Sequence, residues 1–95
     1  GIMNRLTRLS DDKKSYVTDK DKVNIEDNIC SGEAIDRLGK FEDFYEALVK
    51  GQSQVQEELE RLRLEGKEKS YRYKELMAKK LTENHILNML KLYDL

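Results

Sequence analysis

The sequence contains no proline and no tryptophan, and only five of its 95 residues are glycine. Few residues are therefore present that would interrupt regular secondary structure. Charged residues make up 39% of the chain and hydrophobic residues 38%. This balance is typical of exposed helical assemblies rather than of compact α/β enzymes. We therefore predict a mainly all-α protein.

Cysteine and histidine each occur once, as Cys30 and His85. A lone cysteine cannot form an intramolecular disulfide, and a structural zinc site needs several such ligands. Nucleotide-binding glycine loops and calcium loops are also missing. We therefore expect no metal, no cofactor and no catalytic residues. Cys30 is interpreted as a small buried hydrophobic residue, and His85 as a polar residue in the first turn of the last helix.

The sequence has no apolar run long enough to cross a bilayer and no signal peptide. We therefore expect a cytoplasmic protein of a bacterial host cell without a membrane partner. Gly1 and Ile2 precede Met3, which begins a typical natural start. Residues 1–2 are interpreted as a cloning remnant.

The net charge is only −1, which excludes the strong basic field of many DNA-binding proteins. The charge is nevertheless uneven along the chain. Residues 31–65 carry 5 basic against 9 acidic side chains, and residues 66–95 carry 7 against 4. The two regions are expected to attract each other, within one chain or between chains.

Residues 3–30 have the least regular pattern. Two segments rich in β-branched and aromatic residues, 16–18 and 23–25, flank a charged cluster at 19–22. They predict either a small β-hairpin or an extended arm that covers the start of the next helix. Both interpretations stay open, because an isolated two-stranded hairpin is marginal in water.

A long helix is predicted over about residues 32–65, capped by Ser31 and ended by Gly66. Its inward positions alternate spacings of three and four, as in a heptad repeat: Leu38, Phe41, Tyr45, Leu48, Gln52, Val55, Leu59 and Leu62. Gly51 allows a break in the helix, with Ser53 capping a second one. We favour a continuous helix, because the heptad register is kept across Gly51.

The two halves of this helix differ in their apolar surface. Ile35, Phe44 and Val49 widen the apolar stripe of the first half, which predicts a core face. The second half has a narrow seam of Gln52, Val55, Leu59 and Leu62. We predict that this seam binds a partner or a second copy, giving a homo-oligomer. An acidic face around it is predicted to contact the partner: Glu57, Glu58 and Glu60.

Residues 66–95 are predicted to form two short amphipathic helices, which begin at Ser70 and Thr82. One apolar face would carry Tyr73, Leu76 and Leu81, and the other would include Ile86 and Met89. The predicted segments are 3–30, 31–65 and 66–95, within one domain overall.

The basic residues of this C-terminal region suggest an alternative function, a small nucleic-acid-binding regulator. Its contacts would be Arg72, Lys74, Lys79 and Lys80. The second helix opposes this interpretation, because its side chains are mostly apolar and would read base edges poorly. A third alternative is a structural or assembly protein.

Three segments carry a resemblance to known proteins. The segment GEAIDRLGKFED at residues 32–43 resembles the AIDKLGxYED stretch of small uncharacterised proteins from phages and prophages of Gram-positive bacteria. The start MNRLT at residues 3–7 is similar to theirs. Residues 66–81, GKEKSYRYKELMAKKL, resemble a C-terminal part that recurs in them.

This resemblance implies a phage accessory protein that works inside a bacterial cell. Such proteins often bind and inhibit host proteins, and they include anti-CRISPR and other anti-defence inhibitors. The expected function is therefore a non-enzymatic protein that binds and blocks a host protein. A CRISPR nuclease is the named candidate, and no catalytic or binding residues follow from the resemblance.

Overall fold

The computed structural model describes residues 3–95, so the interpretation of residues 1–2 lies outside the described part. Two antiparallel β-hairpins are followed by two long helices. The chain divides into two compact units, with the boundary between Asp43 and Phe44. We call residues 3–43 unit 1 and Phe44–Leu95 unit 2. The boundary therefore lies inside the first helix rather than at its ends.

The first hairpin of unit 1 pairs β1 (Thr7–Leu9) with β2 (Tyr16–Thr18). Its loop is closed by backbone hydrogen bonds between Ser10 and Ser15 and between Lys13 and Ser10, each 2.8 Å long. Lys13 adopts a φ of 60° in this loop. The Thr18 hydroxyl donates to the Leu6 carbonyl at 2.6 Å. This bond holds the chain before β1 beside the end of β2.

The second hairpin pairs β3 (Asn24–Glu26) with β4 (Ile29–Ser31). A turn of 3-10 helix at Lys20–Lys22 separates it from the first hairpin. Asp27 has a φ of 53°, as tight hairpin turns require at their first central residue. Residues 16–18 form β2 and residues 24–25 belong to β3, so of the two open interpretations the structure has strands rather than an extended arm. They do not pair with each other, because each pairs with a strand on its own side of the charged cluster.

The helix α1 runs without a break from Glu33 to Leu64 and belongs to both units. The prediction of one continuous helix through Gly51 is confirmed. Its start differs from the prediction, since Ser31 ends β4 and the first helical carbonyl is that of Gly32. Gly32 has a φ of 116°, and a Cβ there would lie 2.7 Å from the Lys22 carbonyl oxygen. Only glycine fits between β4 and α1.

The end of α1 is a Schellman motif centred on Gly66, which has a φ of 71°. Gly66 N–H donates to the Arg63 carbonyl at 3.0 Å, and Lys67 N–H donates to the Leu62 carbonyl at 2.8 Å. The predicted C-cap is therefore confirmed.

A single helix, α2 (Tyr71–Leu92), occupies the C-terminal region. Ser70 caps it as predicted, with its hydroxyl accepting from Tyr73 N–H at 3.1 Å. The prediction of two short helices is wrong, because Thr82 lies in the interior of α2. Neither glycine nor proline interrupts residues 71–92, so the helix continues past the position where Thr82 resembled a cap.

The core of the described chain belongs to unit 2, where α2 packs antiparallel on the second part of α1. Val55, Leu59 and Leu76 form the buried cluster, and Leu62, Tyr73 and Met77 pack against it. Leu48 and Leu87 are buried as well. The prediction that the first half of α1 is a core face is therefore wrong: Ile35, Phe44 and Val49 are 38%, 47% and 48% exposed.

Candidate functional site

The predicted seam of α1 is covered by the chain's own α2. Val55 is 4% exposed and Leu59 only 1%, and both pack against Leu76. Gln52 donates a hydrogen bond to the Asn84 side chain, and Leu62 packs against the buried cluster. Partner binding and self-association through these residues stay predictions, but no second chain is needed to bury them.

Polar side chains occupy the middle of the same helix pair. Lys80 Nζ donates to Gln56 Oε1 at 2.8 Å, next to the Gln52–Asn84 pair. The buried Glu83 of α2 also approaches α1, at Gly51, which has no side chain. A Cβ at Gly51 would be 2.9 Å from Glu83 Oε2. Gly51 therefore provides room for a carboxylate rather than a break in the helix.

The predicted acidic face is partly used within the chain. Arg72 donates to both carboxylate oxygens of Glu58, through Nε at 3.0 Å and Nη2 at 3.2 Å. This hydrogen bonding from Arg72 lowers the pKa of the Glu58 carboxyl. Glu60 accepts a bond from Gln56 at 3.2 Å, and Glu57 lies exposed beside that side chain. Glu58 of the acidic region and Arg72 of the basic region thus form an ion pair inside one chain.

The predicted nucleic-acid contacts are largely occupied in the same way. Besides Glu58, Arg72 binds Glu75 at 2.7 Å, and both hydrogen bonds raise the pKa of its guanidinium. Lys79 lies 3.8 Å from Glu83, and Lys80 binds Gln56. Lys74 is exposed. The four side chains therefore do not form a free basic surface.

The lone cysteine and histidine are both exposed, so the interpretation of Cys30 as buried is wrong. Cys30 lies opposite Ile25 in the short second hairpin, where no other layer covers it. Within residues 3–95, no three His, Cys, Asp or Glu side chains are grouped as a metal site would require. No helix in that range has the length and apolar character of a membrane span.

Unit 1 differs from unit 2 in that none of its described residues is buried, although both units expose large apolar side chains. Large apolar side chains are exposed before β1, on both hairpins and on the start of α1: Met3, Leu9, Tyr16, Val17, Ile25, Ile29, Ile35 and Leu38. Leu9 and Tyr16 are direct register partners, so they stand side by side on one face of the first hairpin. They are 48% and 66% exposed.

The ion pairs of unit 1 lie at its surface. Arg8 and Asp19 form an ion pair of 2.7 Å at the first hairpin. Lys22 lies 3.3 Å from Glu33 at the start of α1, and this pairing raises the pKa of Lys22. Such exposed pairs contribute little stability. The apolar side chains of unit 1 are therefore held at the surface without a core beneath them.

A groove lies between the N-terminal residues of unit 1 and the start of α1. It has a volume of about 400 Å³ and is lined by Met3, Arg5, Leu6, Thr7, Ala34, Arg37, Leu38 and Phe41. We call it the N-terminal groove. Arg37 donates to the Asn4 carbonyl, which ties the N-terminal residues to the helix. No local sequence pattern indicates this groove, because its two sides are about 30 residues apart along the chain.

Comparisons of the chain with protein-family models, with curated proteins and with solved structures gave no match.

Proposed function

We propose that the chain is a non-enzymatic protein-binding module that uses unit 1 to bind a bacterial host protein. One observation carries this proposal. The buried side chains of the described chain all lie in unit 2, so the exposed large apolar residues of unit 1, unlike those of unit 2, have no buried core of their own unit beneath them. Leu9 and Tyr16 are neighbours across the first hairpin, and exposed apolar side chains grouped in this way are typical of sites that bind other proteins.

The small size of unit 1 supports the same proposal. Folded units of roughly 40 residues or fewer usually need a disulfide, a metal or a partner. Cys30 is a free thiol, and each sheet of unit 1 has only two strands. Two-stranded hairpins gain independent stability by packing against something else. A partner protein would bury the apolar side chains that unit 1 leaves exposed.

The resemblance to phage accessory proteins supports a narrower form of this proposal. The target is then a host defence protein, with a CRISPR nuclease as the named candidate, and binding inhibits it in the bacterial cytoplasm. A homo-oligomer remains part of the proposal, with further copies presenting further binding surfaces. The nucleic-acid-binding alternative is less favoured, since Arg72 and Lys80 are engaged within the chain.

Affinity capture from a Gram-positive bacterial lysate tests the proposal. The test variant Leu9→Ser/Tyr16→Ser removes two exposed side chains of unit 1. Its matched control, Leu81→Ser/Leu92→Ser, removes two side chains of unit 2 that are 62% and 82% exposed. We expect mass spectrometry to find one host protein with the wild type and the control, and its loss with the test variant.

Equal capture by all three proteins, or no protein captured above background, would contradict the proposal. A nuclease assay tests the narrower form. Purified CRISPR nuclease should lose DNA cleavage in the presence of the wild type and keep it in the presence of the Leu9→Ser/Tyr16→Ser variant. Unchanged cleavage with both proteins would remove this candidate target.

A further inference from the structure

We propose that the N-terminal groove binds an acidic peptide segment of the partner protein, with an apolar side chain in the groove and carboxylates at Arg5 and Arg37. This inference rests on the proposed function, since it names the chemistry of the partner at unit 1.

The apolar residues that line the groove account for the apolar part of the ligand. They include Leu6, Leu38 and Phe41, and Leu38 is 53% exposed. The volume of about 400 Å³ lies within the range of ligand pockets, roughly 300–1,000 Å³. The groove is open to solvent, so a side chain of an extended peptide can enter it while the peptide backbone stays outside.

Two arginines that line the groove account for the acidic part of the ligand. Arg5 donates through Nε to the Thr7 carbonyl at 2.9 Å, and its guanidinium lies 6.0 Å from the centre of the Tyr16 ring. Arg37 donates through one terminal nitrogen to Asn4. A guanidinium has five N–H donors, so each side chain is held by one bond and keeps others for a ligand. Such arginines bind carboxylates in a bidentate manner.

Charge complementarity favours an anionic ligand here, because no acidic side chain is among the eight described residues that line the groove. The nearby Glu33 is paired with Lys22 at 3.3 Å. A nucleic acid fits less well than a peptide. Unit 1 has 8 basic against 10 acidic residues between positions 3 and 43, so no extended positive surface follows a phosphate backbone.

Selection from a random-peptide phage-display library on the immobilised chain tests this proposal. We expect the selected peptides to share a Leu, Met or Phe beside two or more Asp or Glu residues. A fluorescein-labelled copy of the most enriched peptide is then titrated by fluorescence anisotropy. Arg5→Gln/Arg37→Gln should raise its Kd by at least about tenfold, because charge-assisted bonds are lost while an N–H donor is kept.

Lys40→Gln is the matched control. Lys40 is exposed on the same helix, three residues after Arg37, and does not line the groove. Its Kd should stay within about twofold of the wild-type value, as expected for a charge outside the site. If circular dichroism shows lost helicity in the double variant, the single variant Arg5→Gln provides the test, with a weaker but measurable loss.

Selected peptides without acidic residues, or acidic peptides that bind both arginine variants as tightly as the wild type, would overturn the proposal. Binding of a single-stranded oligonucleotide with the same arginine dependence, and no selected peptide, would overturn it as well. Capture of a host protein through Leu9 and Tyr16 would still support the proposed function in either case, so the two failures are distinguishable.

Discussion

Two glycines inside α1 have different surroundings. A Cβ at Gly39 would meet nothing within 4 Å, whereas at Gly51 it would lie 2.9 Å from Glu83 Oε2. Glycine in a helix costs roughly 0.5–1 kcal/mol relative to alanine, so Gly39→Ala should raise the free energy of unfolding by about that amount. Gly51→Ala should gain clearly less, because the buried Glu83 carboxylate has to move. Urea denaturation checks both, and equal gains would contradict the close approach.

The ion pair between Glu58 and Arg72 makes stability depend on pH. Hydrogen bonding from Arg72 lowers the pKa of Glu58 below its ordinary value of 4.5. The folded-state pKa is the lower one, so the carboxylate contributes stability above about pH 4.5 and loses it as pH falls through the folded-state value. The urea midpoint of Glu58→Gln should therefore fall less than that of the wild type between about pH 5 and pH 3.

Glu57→Gln provides the control for that measurement. Glu57 is an exposed neighbour on the same helix, and its substitution should leave the acid dependence of the wild type unchanged. The wild-type dependence should also weaken in about 1 M salt, since exposed charges are screened. Identical pH profiles for wild type and Glu58→Gln would mean that the Arg72 pairing does not stabilise the fold.

The start of α2 can be tested by substituting its N-cap residue. Ser70→Ala should lower the free energy of unfolding by about 0.5–2 kcal/mol, because the bond to Tyr73 N–H is lost. Thr82→Ala should cause no loss, since Thr82 is an exposed residue inside α2 and alanine is the better helix former. Thermal unfolding followed by circular dichroism compares the two. A loss at Thr82 as large as at Ser70 would restore the prediction of two short helices.

The packing of α2 on α1 can be tested at Leu59, which is 1% exposed. Leu59→Ala should cost about 2–5 kcal/mol of unfolding free energy. Leu64→Ala is the control, because Leu64 is 90% exposed, and its effect should stay within about 0.5 kcal/mol. Equal losses for the two variants would contradict the packing of α2 on Leu59.

Most boundaries of the helical elements were predictable, because local signals define them. The heptad spacing and Gly66 predicted the extent of α1, and Ser70 predicted the start of α2. The sequence left open whether the C-terminal region of the same chain or another chain covers the α1 seam. The helix α2 has the same alternating spacing, at residues 73, 76, 80, 83, 87 and 90. Two of these positions are the charged residues Lys80 and Glu83, so the apolar pattern is interrupted. The short connection between the helices was the signal that they pack antiparallel.

The pairing of strands and the location of the core were less predictable. Three-residue strands have weak patterns, so the sequence showed strand-forming segments without their partners. The wide apolar stripe of Ile35, Phe44 and Val49 suggested a core, yet an apolar stripe does not say what covers it. The N-terminal groove depends on contacts between residues about 30 positions apart along the chain, such as Arg37 with Asn4, and no local pattern predicts them.

At the level of the whole molecule, the two units differ in how they bury apolar surface. Unit 2 encloses Leu48, Val55, Leu59, Leu76 and Leu87 between two helices. Unit 1 has short strands, exposed ion pairs and exposed apolar side chains. We therefore expect the backbone amides of the two hairpins to exchange with solvent faster than those of α2, because few buried contacts oppose local opening.

Hydrogen–deuterium exchange of the chain with and without its captured host protein tests the central claim most directly. We predict that binding slows exchange in the two hairpins and at the start of α1, while exchange in α2 stays unchanged. Slower exchange confined to α2 and the second part of α1, with the hairpins unaffected, would contradict the claim that unit 1 is the binding surface.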